Sequence, residues 1–165
     1  MTQSRLDLFV DRMVSQRACL DHAARAVADL PGPVFELGLG NGRTYHHMRH
    51  VMPDRDIYVF ERAVASHPDS KPPEEMVMLG AVYDTLPAAL ARFGPTAALI
   101  HADLGGHNAA KNDLFARNIS PLVAPLLAVG GLMVASDRMY FDDLVEQPLP
   151  EGAVPGRCFI YRRMV

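Results

Sequence analysis

The chain has 165 residues, a length that suits one domain and leaves little room for a separate substrate-binding domain. Hydrophobic residues make up 49% and charged residues 21%, and no apolar run reaches the roughly 18 residues of a membrane span, so we expect a soluble protein. The net charge of −3, with acidic and basic residues mixed along the chain, argues against a nucleic-acid-binding surface.

The amino-terminal segment, residues 1–32, is predicted to be helical. Apolar residues recur at helical spacing from Leu6 to Leu30, which indicates two helices or one bent helix. Gln16 and Arg17 interrupt the apolar stripe, either as an exposed joint or as polar groups that face a ligand. The first residues lack the order of a signal peptide, so we expect a cytoplasmic location.

The remaining sequence alternates short apolar runs with helical segments, the pattern of an α/β fold with a mostly parallel sheet. Strands are predicted over residues 33–37, 57–60, 76–79, 97–102 and 132–136, with a final antiparallel strand over residues 158–164. Helices are predicted over residues 43–51, 85–94, 111–118 and 120–129, with Thr85 and Ser120 as caps and a kink at Pro125.

A glycine-rich loop, Glu-Leu-Gly-Leu-Gly-Asn-Gly-Arg-Thr at residues 36–44, connects the first predicted strand to the following helix. Its glycines allow a tight turn and let a ligand approach the backbone, whose amides attract a negative group. Arg43 stands where a dinucleotide-binding loop has its third glycine, which disfavours a nicotinamide cofactor. A tight turn that binds nothing is the alternative for the loop by itself.

An acidic residue follows the second predicted strand. Glu61 lies about 20 residues beyond the glycine loop, where a carboxylate is placed to accept hydrogen bonds from both hydroxyls of a ribose. The spacing favours this role over that of a solvated carboxylate at the end of a strand.

The pattern Glu36-x-Gly38-x-Gly40-x-Gly42 resembles motif I of the class I S-adenosylmethionine-dependent methyltransferases, and the resemblance covers nearly the whole chain. Residues 16–20, 38–44 and 149–161 are more narrowly similar to a small stand-alone bacterial group of these enzymes with unknown substrate. The resemblance implies a Rossmann-like, doubly wound fold and S-adenosylmethionine as the cofactor. The cofactor-binding residues that it implies are Glu36, Gly38, Leu39, Gly40, Asn41, Gly42, Thr44, Glu61, Arg62, Gly80, Ala81 and Asp103.

Two departures from the family pattern concern the adenine site and a metal. Gly80 and Ala81 replace an aspartate that contacts adenine in many class I enzymes, so adenine is expected to contact backbone and apolar groups. Asp103 and Asp137 faintly resemble the magnesium ligands of catechol-type O-methyltransferases, but Arg138 stands where the family has a further ligand and would repel the ion. We therefore expect no metal.

Three residues are candidates for catalysis. Asp103 is expected to contact the ammonium group of the cofactor or the methyl acceptor. His101 and His107 flank the predicted acceptor site, and a histidine can remove a proton at neutral pH. For each histidine, a simple hydrogen-bonded position at a strand end or in a loop is an equal alternative.

The sequence therefore predicts a methyltransferase whose unidentified acceptor is a small molecule. A non-catalytic cofactor-binding module that acts through a protein partner is the second hypothesis, and a nicotinamide-dependent oxidoreductase, weakened by Arg43, is the third. We expect no membrane association and no nucleic-acid partner, and a homo-oligomer stays open. Cys19 and Cys158 lack the close spacing of a metal or redox motif and are predicted to be free thiols.

Overall fold

The computed structural model describes residues 3–106 and 108–165. Within these ranges, a seven-stranded sheet is covered by helices on both faces. The helices are α1 (Arg5–Ala26), α2 (Arg43–Val51), α3 (Val82–Phe93) and α4 (Ala109–Val123). The strands are β1 (Val34–Leu37), β2 (Ile57–Glu61), β3 (Val77–Leu79), β4 (Ala97–Ala102), β5 (Leu127–Ala135), β6 (Leu144–Gln147) and β7 (Phe159–Arg163).

The strand order is β3-β2-β1-β4-β5-β7-β6. Strands β1 to β5 pair in parallel, whereas β7 is antiparallel to both β5 and β6. The prediction of a Rossmann-like, mostly parallel sheet with an antiparallel carboxyl-terminal strand is confirmed. The chain runs outward from β1 to β3 and then returns to β4, so the strand order reverses between β1 and β4. Open α/β sheets bind ligands at the carboxyl ends of the strands at such a reversal.

Each face of the sheet has its own core, because successive side chains of a strand point to opposite faces. Val34 and Leu99 pack beneath α1 and α2, whereas Phe35 and Ile100 pack beneath α3 and α4. Strands β1 and β4 are buried along their whole length, as expected for central parallel strands.

Helix α1 is one continuous helix, so the interrupted apolar stripe is not a joint. The Ser4 hydroxyl accepts a hydrogen bond from the Asp7 amide and the Asp7 carboxylate accepts one from the Ser4 amide, which fixes where the helix begins. Gln16 is 2% exposed and faces the sheet, whereas Arg17 is exposed. The hypothesis of a polar group that faces a ligand therefore fits the position of Gln16 but not that of Arg17.

Several boundaries differ from the predicted ones. Helix α3 begins at Val82, one turn before Thr85, whose hydroxyl donates a hydrogen bond to the carbonyl of Ala81, the residue that precedes the helix. Helix α4 continues through Pro121 and ends at Val123, and β5 begins at Leu127, where the sequence predicted more helix. The edge strand β6 was not predicted. Of the helices in the described ranges, none combines the length and apolar character that crossing a membrane requires.

Candidate functional site

The sheet register brings three polar or bare-backbone positions to one edge. Leu37 at the end of β1 pairs with Phe60 of β2 and with Ala102 of β4. The next residues, Gly38, Glu61 and Asp103, therefore lie at the same level, with Glu61 as the last residue of β2 and the other two directly after β1 and β4. The point of strand reversal thus brings together the glycine loop, the carboxylate predicted to bind ribose (Glu61) and the carboxylate predicted to bind the ammonium group (Asp103).

The glycine turn between β1 and α2 has backbone conformations and close contacts that exclude larger residues. Gly38 has a φ of 87°, and a Cβ there would lie 2.7 Å from the carbonyl oxygen of Asp103. Gly42 caps α2 with a φ of 88°, and a Cβ there would lie 2.5 Å from the Cβ of Ser70. Only glycine adopts these conformations without strain, so the turn presents bare backbone to the sheet edge.

The Glu61 carboxylate is held against this turn. Its Oε2 accepts hydrogen bonds from the amides of Leu39 (2.8 Å) and Gly40 (3.3 Å), and its Oε1 accepts one from the amide of Arg62 (2.8 Å). Burial raises the pKa of the Glu61 carboxyl, but the backbone hydrogen bonds outweigh it and hold the pKa below its usual value. Glu61 is therefore an ionised hydrogen-bond acceptor at the edge of the cavity.

Two cavities adjoin at the glycine turn. The larger, of about 680 Å³, lies between the turn, the ends of β2 and β3, and α4. Its polar and apolar walls include Glu61, Arg62, Ala81, Tyr83, Leu104, Asn108, Lys111 and Phe115. The smaller, of about 240 Å³, lies between the turn and α1, which contributes Phe9, Arg12, Met13 and Gln16. Gly38, Gly40 and Asp103 line both cavities.

Most of the predicted cofactor-binding residues line these cavities. In the larger cavity they are Gly38, Gly40, Glu61, Arg62, Gly80, Ala81 and Asp103. In the smaller cavity they are Gly38, Leu39, Gly40, Asn41, Gly42, Thr44 and Asp103. Glu36 is the exception, since it is fully buried and belongs to neither described lining. The exposed Asp84 lies in the first turn of α3, as expected for a carboxylate that stabilises a helix amino terminus.

Glu36 and His101 form a buried pair beneath α1 and α2. The Nδ1 of His101 lies 3.1 and 2.9 Å from the two carboxylate oxygens of Glu36, which also accepts a hydrogen bond from Thr44 at 2.7 Å. Burial lowers the pKa of His101, but the charge and hydrogen bond of Glu36, together with the charge of Asp103, outweigh it and raise the pKa above its usual value. The pair thus connects β1, β4 and the start of α2, and the described cavity linings do not include His101.

Asp103 is paired with α1. The Nη2 of Arg12 lies 2.6 and 2.5 Å from its two carboxylate oxygens, and the Nε2 of Gln16 donates to it at 2.9 Å and to the hydroxyl of Ser136 at 2.7 Å. Burial raises the pKa of Asp103, but the charge of Arg12 and these hydrogen bonds hold it below its usual value. Sequence reasoning missed Arg12. The one available signal was its spacing of four residues from Gln16 along the helix.

Asp137, at the end of β5, lies near Asp103 at the same edge. Burial, reinforced by the charge of Asp103, raises the pKa of the Asp137 carboxyl, while Asn112 lies 3.5 Å from it. Among the described residues, no group of three or more His, Cys, Asp or Glu side chains is placed to hold a metal ion. Arg138 pairs with Glu146 at 3.1 Å. The third catalytic candidate, His107, lies outside the described residues.

The two cysteines lie apart from the cavities. Cys19 and Cys158 are both buried and both free, which confirms the prediction of free thiols. Cys19 belongs to α1 and Cys158 directly precedes β7, and the two side chains belong to the same core cluster.

A glycine turn at a strand reversal, with an ionised carboxylate on the neighbouring strand, is an arrangement in which a Rossmann-like fold can hold a nucleoside-containing cofactor. The chain belongs to the S-adenosyl-L-methionine methyltransferase family, whose model matches residues 3–163. It is a methyltransferase, and its cofactor is S-adenosylmethionine. The residues present fit this cofactor, because the turn leaves backbone uncovered where a side chain would block access and Glu61 offers a carboxylate at the cavity wall.

The solved structures agree with this assignment. A methyltransferase from Silicibacter pomeroyi DSS-3 is 72% identical, with a TM-score of 0.97 over 98% of this chain and 99% of that one. A TDP-rhamnose 3′-O-methyltransferase of calicheamicin biosynthesis has 20% identity and a TM-score of 0.56 over 96% and 81% of the two chains. Human methyltransferase-like protein 13, solved with S-adenosylhomocysteine, has 13% identity and a TM-score of 0.54 over 94% and 82%. The latter two show the shared fold, and a search of curated proteins finds no match.

Proposed function

We propose that this enzyme transfers the methyl group of S-adenosylmethionine to a small-molecule acceptor held at the carboxyl edge of β4 and β5. The observation that carries the proposal is the junction of the two cavities at the glycine turn, with Asp103 on the wall of both. The larger cavity has the size of a small-molecule site. The nucleoside end of the cofactor is proposed to lie against the wall that carries Glu61, and its amino-acid end is proposed to lie in the smaller cavity beneath α1.

The charges at this edge favour a small molecule over a nucleic acid. Asp103 and Asp137 place two carboxyl groups where the acceptor has to approach, and the net charge of the chain is −3. The walls of the larger cavity also carry Arg62 and Lys111, but the chain as a whole has no excess of the cations that a nucleic-acid-binding site needs to neutralise backbone phosphates. A neutral or positively charged acceptor is compatible with these carboxylates.

The work of the protein in this reaction is to position groups and exclude water. When bound, S-adenosylmethionine supplies a methyl group already activated on a positively charged sulfur. The glycine turn and Glu61 hold the nucleoside, and α1 forms one wall of the smaller cavity, which limits the access of solvent to the reacting groups. Asp103 contacts the cofactor or the acceptor, and His107 is the predicted proton acceptor.

For His101, the buried pair with Glu36 supports a positioning role. Its Nδ1 is hydrogen-bonded to Glu36, and the side chain is fully buried beneath α1. A base that removes a proton has to reach the acceptor within hydrogen-bond distance. We therefore propose that His101 fixes β1 against β4 and thereby the start of the glycine turn.

Replacing the Glu61 carboxylate tests the cofactor site. We expect Glu61→Gln to weaken binding of S-adenosylhomocysteine about tenfold or more, because the neutral amide is a weaker acceptor for ribose hydroxyls. Isothermal titration calorimetry measures the dissociation constant. Glu75→Gln, at an exposed position in the short 3₁₀ helix before β3, is the matched control and is expected to bind like the unaltered enzyme. Equal affinities for the two variants would contradict the assignment of Glu61.

Turnover separates an enzyme from a binding module. A panel of small-molecule alcohols, amines and thiols is incubated with the enzyme and S-adenosylmethionine, and S-adenosylhomocysteine formation is followed by mass spectrometry. Formation that depends on both the enzyme and one acceptor supports the proposal. Turnover only with nucleic-acid or protein acceptors would overturn the small-molecule assignment. Tight binding of a nicotinamide dinucleotide in place of S-adenosylhomocysteine would overturn the cofactor site.

A further inference from the structure

Arg12 and Asp103 form an ion pair on the wall of the smaller cavity. A single terminal nitrogen of Arg12, Nη2, contacts both carboxylate oxygens of Asp103, at 2.6 and 2.5 Å. The Arg12 side chain is 43% exposed and the Asp103 side chain 20%, so the pair is open to the cavity. The two charged groups therefore lie where the proposed function places the amino-acid end of the cofactor.

The hydrogen-bonding capacity of Arg12 is only partly used. Its Nε is buried and has no hydrogen-bond partner among residues 3–106 and 108–165. A guanidinium group presents parallel N–H donors that match the two oxygens of a carboxylate, and an unpaired buried donor is unfavourable. Because Nη2 belongs to both donor pairs of the guanidinium, Arg12 can offer a fork to a second carboxylate only when Nη2 is released from Asp103, and this one-nitrogen contact is all that has to be given up.

Asp103, by contrast, is fixed from several sides. Gln16 donates to it at 2.9 Å and is itself hydrogen-bonded to Ser136 at the end of β5. Its backbone carbonyl lies against Gly38, where a Cβ would come within 2.7 Å. Asp103 thus keeps its place beside the glycine turn when Arg12 moves.

We propose that Arg12 and Asp103 form a subsite for the zwitterionic end of the cofactor, in which Arg12 binds the carboxylate and Asp103 binds the ammonium group. This inference rests on the proposed function. The ligand brings one negative and one positive group, so the net charge of the subsite is unchanged when the Arg12–Asp103 pair is replaced by two pairs with the ligand. Neither protein charge is left without a partner, which avoids the cost of an unpaired, partly buried charge.

Three ligands test the subsite on the unaltered protein. S-adenosylhomocysteine carries both charged groups, its decarboxylated analogue carries only the ammonium group, and 5′-methylthioadenosine carries neither. We expect the decarboxylated analogue to bind about ten- to a hundredfold more weakly than S-adenosylhomocysteine, the usual worth of a hydrogen-bonded charged contact. Calorimetry gives the three dissociation constants. Equal affinity for the first two ligands would overturn the role of Arg12 without any variant.

Variants then assign the contact to individual residues. Arg12→Gln is expected to weaken binding of S-adenosylhomocysteine by the same factor and to leave 5′-methylthioadenosine within about twofold. It is not expected to weaken binding of the decarboxylated analogue, whose ammonium group no longer has to displace Arg12 from Asp103. Asp103→Asn is expected to weaken binding of both ammonium-bearing ligands but not of 5′-methylthioadenosine. Arg17→Gln removes an exposed arginine of the same helix and is the control. A loss by Arg12→Gln that is equal for all three ligands would show that Arg12 only supports the fold.

The outcomes distinguish this inference from the proposed function. If the unaltered protein binds none of the three ligands, the cofactor site itself is wrong and both fail. If it binds S-adenosylhomocysteine but Arg12→Gln binds it equally well, only the zwitterion subsite fails. Arg12→Lys keeps the charge without the planar fork, and we expect its affinity for S-adenosylhomocysteine to lie between those of the unaltered protein and Arg12→Gln.

Discussion

Glu36 is the first residue of the glycine motif, yet its carboxylate points into the protein and not toward a ligand. It accepts hydrogen bonds from Thr44 and lies within 3.1 Å of His101 on the adjacent strand. A buried carboxylate is stable only when its charge is compensated, and both partners come from segments that the fold brings together. Glu36 therefore stabilises the glycine turn indirectly, through its contacts with Thr44 and His101.

Replacing Glu36 tests this role. We expect Glu36→Gln to lower the free energy of unfolding by on the order of 3 kcal/mol, because it removes the charge that compensates a fully buried histidine. Urea denaturation followed by circular dichroism measures the change. Glu75→Gln, which is exposed, is expected to stay within about 0.5 kcal/mol of the unaltered protein. Unchanged denaturation of Glu36→Gln would contradict a structural role for the pair.

At the scale of elements, the glycine turn needs glycine for two different reasons, open space at Gly40 and close packing at Gly42. A Cβ at Gly40 meets no atom within 4 Å, and Gly40 lines both cavities. A Cβ at Gly42 would collide with Ser70, which packs the following loop against the turn. Gly40 thus keeps a binding surface open, whereas Gly42 allows two segments to pack.

Alanine at the two positions separates these requirements. We expect Gly40→Ala to cost about 1–2 kcal/mol for its left-handed conformation and to weaken binding of S-adenosylhomocysteine. Gly42→Ala is expected to cost more stability, because the Ser70 segment also has to shift. Thermal denaturation and calorimetry on both variants provide the comparison, and each variant is the control for the other. Equal stability of the two variants would contradict the packing argument.

Helix α1 and strand β6 show how much an element depends on its partners. The apolar spacing and the Ser4–Asp7 cap specify a helix in α1, but the buried position of Gln16 follows from contacts with Asp103 and Ser136. Strand β6 has two exposed residues among its four and lies at the edge of the sheet, where it pairs with β7. Its own sequence carries little strand signal, so its structure depends on that pairing.

For the whole molecule, pKa shifts in opposite directions set the acidic and the alkaline limit of the pH range in which the folded protein is most stable. The pKa values of Glu61 and Asp103 are lowered from 4.5 and 3.8, so their contribution is present above these values and lost as the pH falls through the folded-state pKa values. The pKa of His101 is raised from 6.5, so its contribution is present below pH 6.5 and lost as the pH rises through its folded-state pKa. Stability should therefore be greatest between these two limits.

The alkaline side of this profile provides a specific test. We expect the free energy of unfolding of the unaltered protein to fall as the pH rises above 6.5, since the folded state binds a proton more tightly than the unfolded state does. Glu36→Gln should lack this decline, because burial then keeps His101 neutral. Urea denaturation from pH 5 to 9 measures both profiles. Parallel profiles of the two proteins would contradict the assignment of the alkaline decline to this pair.

The sequence by itself determined most of the elements and the cofactor motif. Strand β4 and helix α2 have their predicted bounds, and the glycine loop and Glu61 lie at the predicted edge. Local signals suffice here, because periodicity, caps and bare glycines act within a few residues of each other. The bounds of β5 were mispredicted, since the run after Pro125 forms a strand only by pairing with β4.

Only the tertiary structure decided which polar side chains face the cavities and which compensate each other inside the protein. The partners of Asp103 on α1 are 91 and 87 residues away in the chain, and His101 is 65 residues from Glu36. No local pattern encodes such pairs, because a charge is satisfied by whatever the fold places within hydrogen-bond distance. Arg12 therefore became a candidate ligand-binding residue, and His101 a candidate positioning residue, once the sheet had assembled beneath α1.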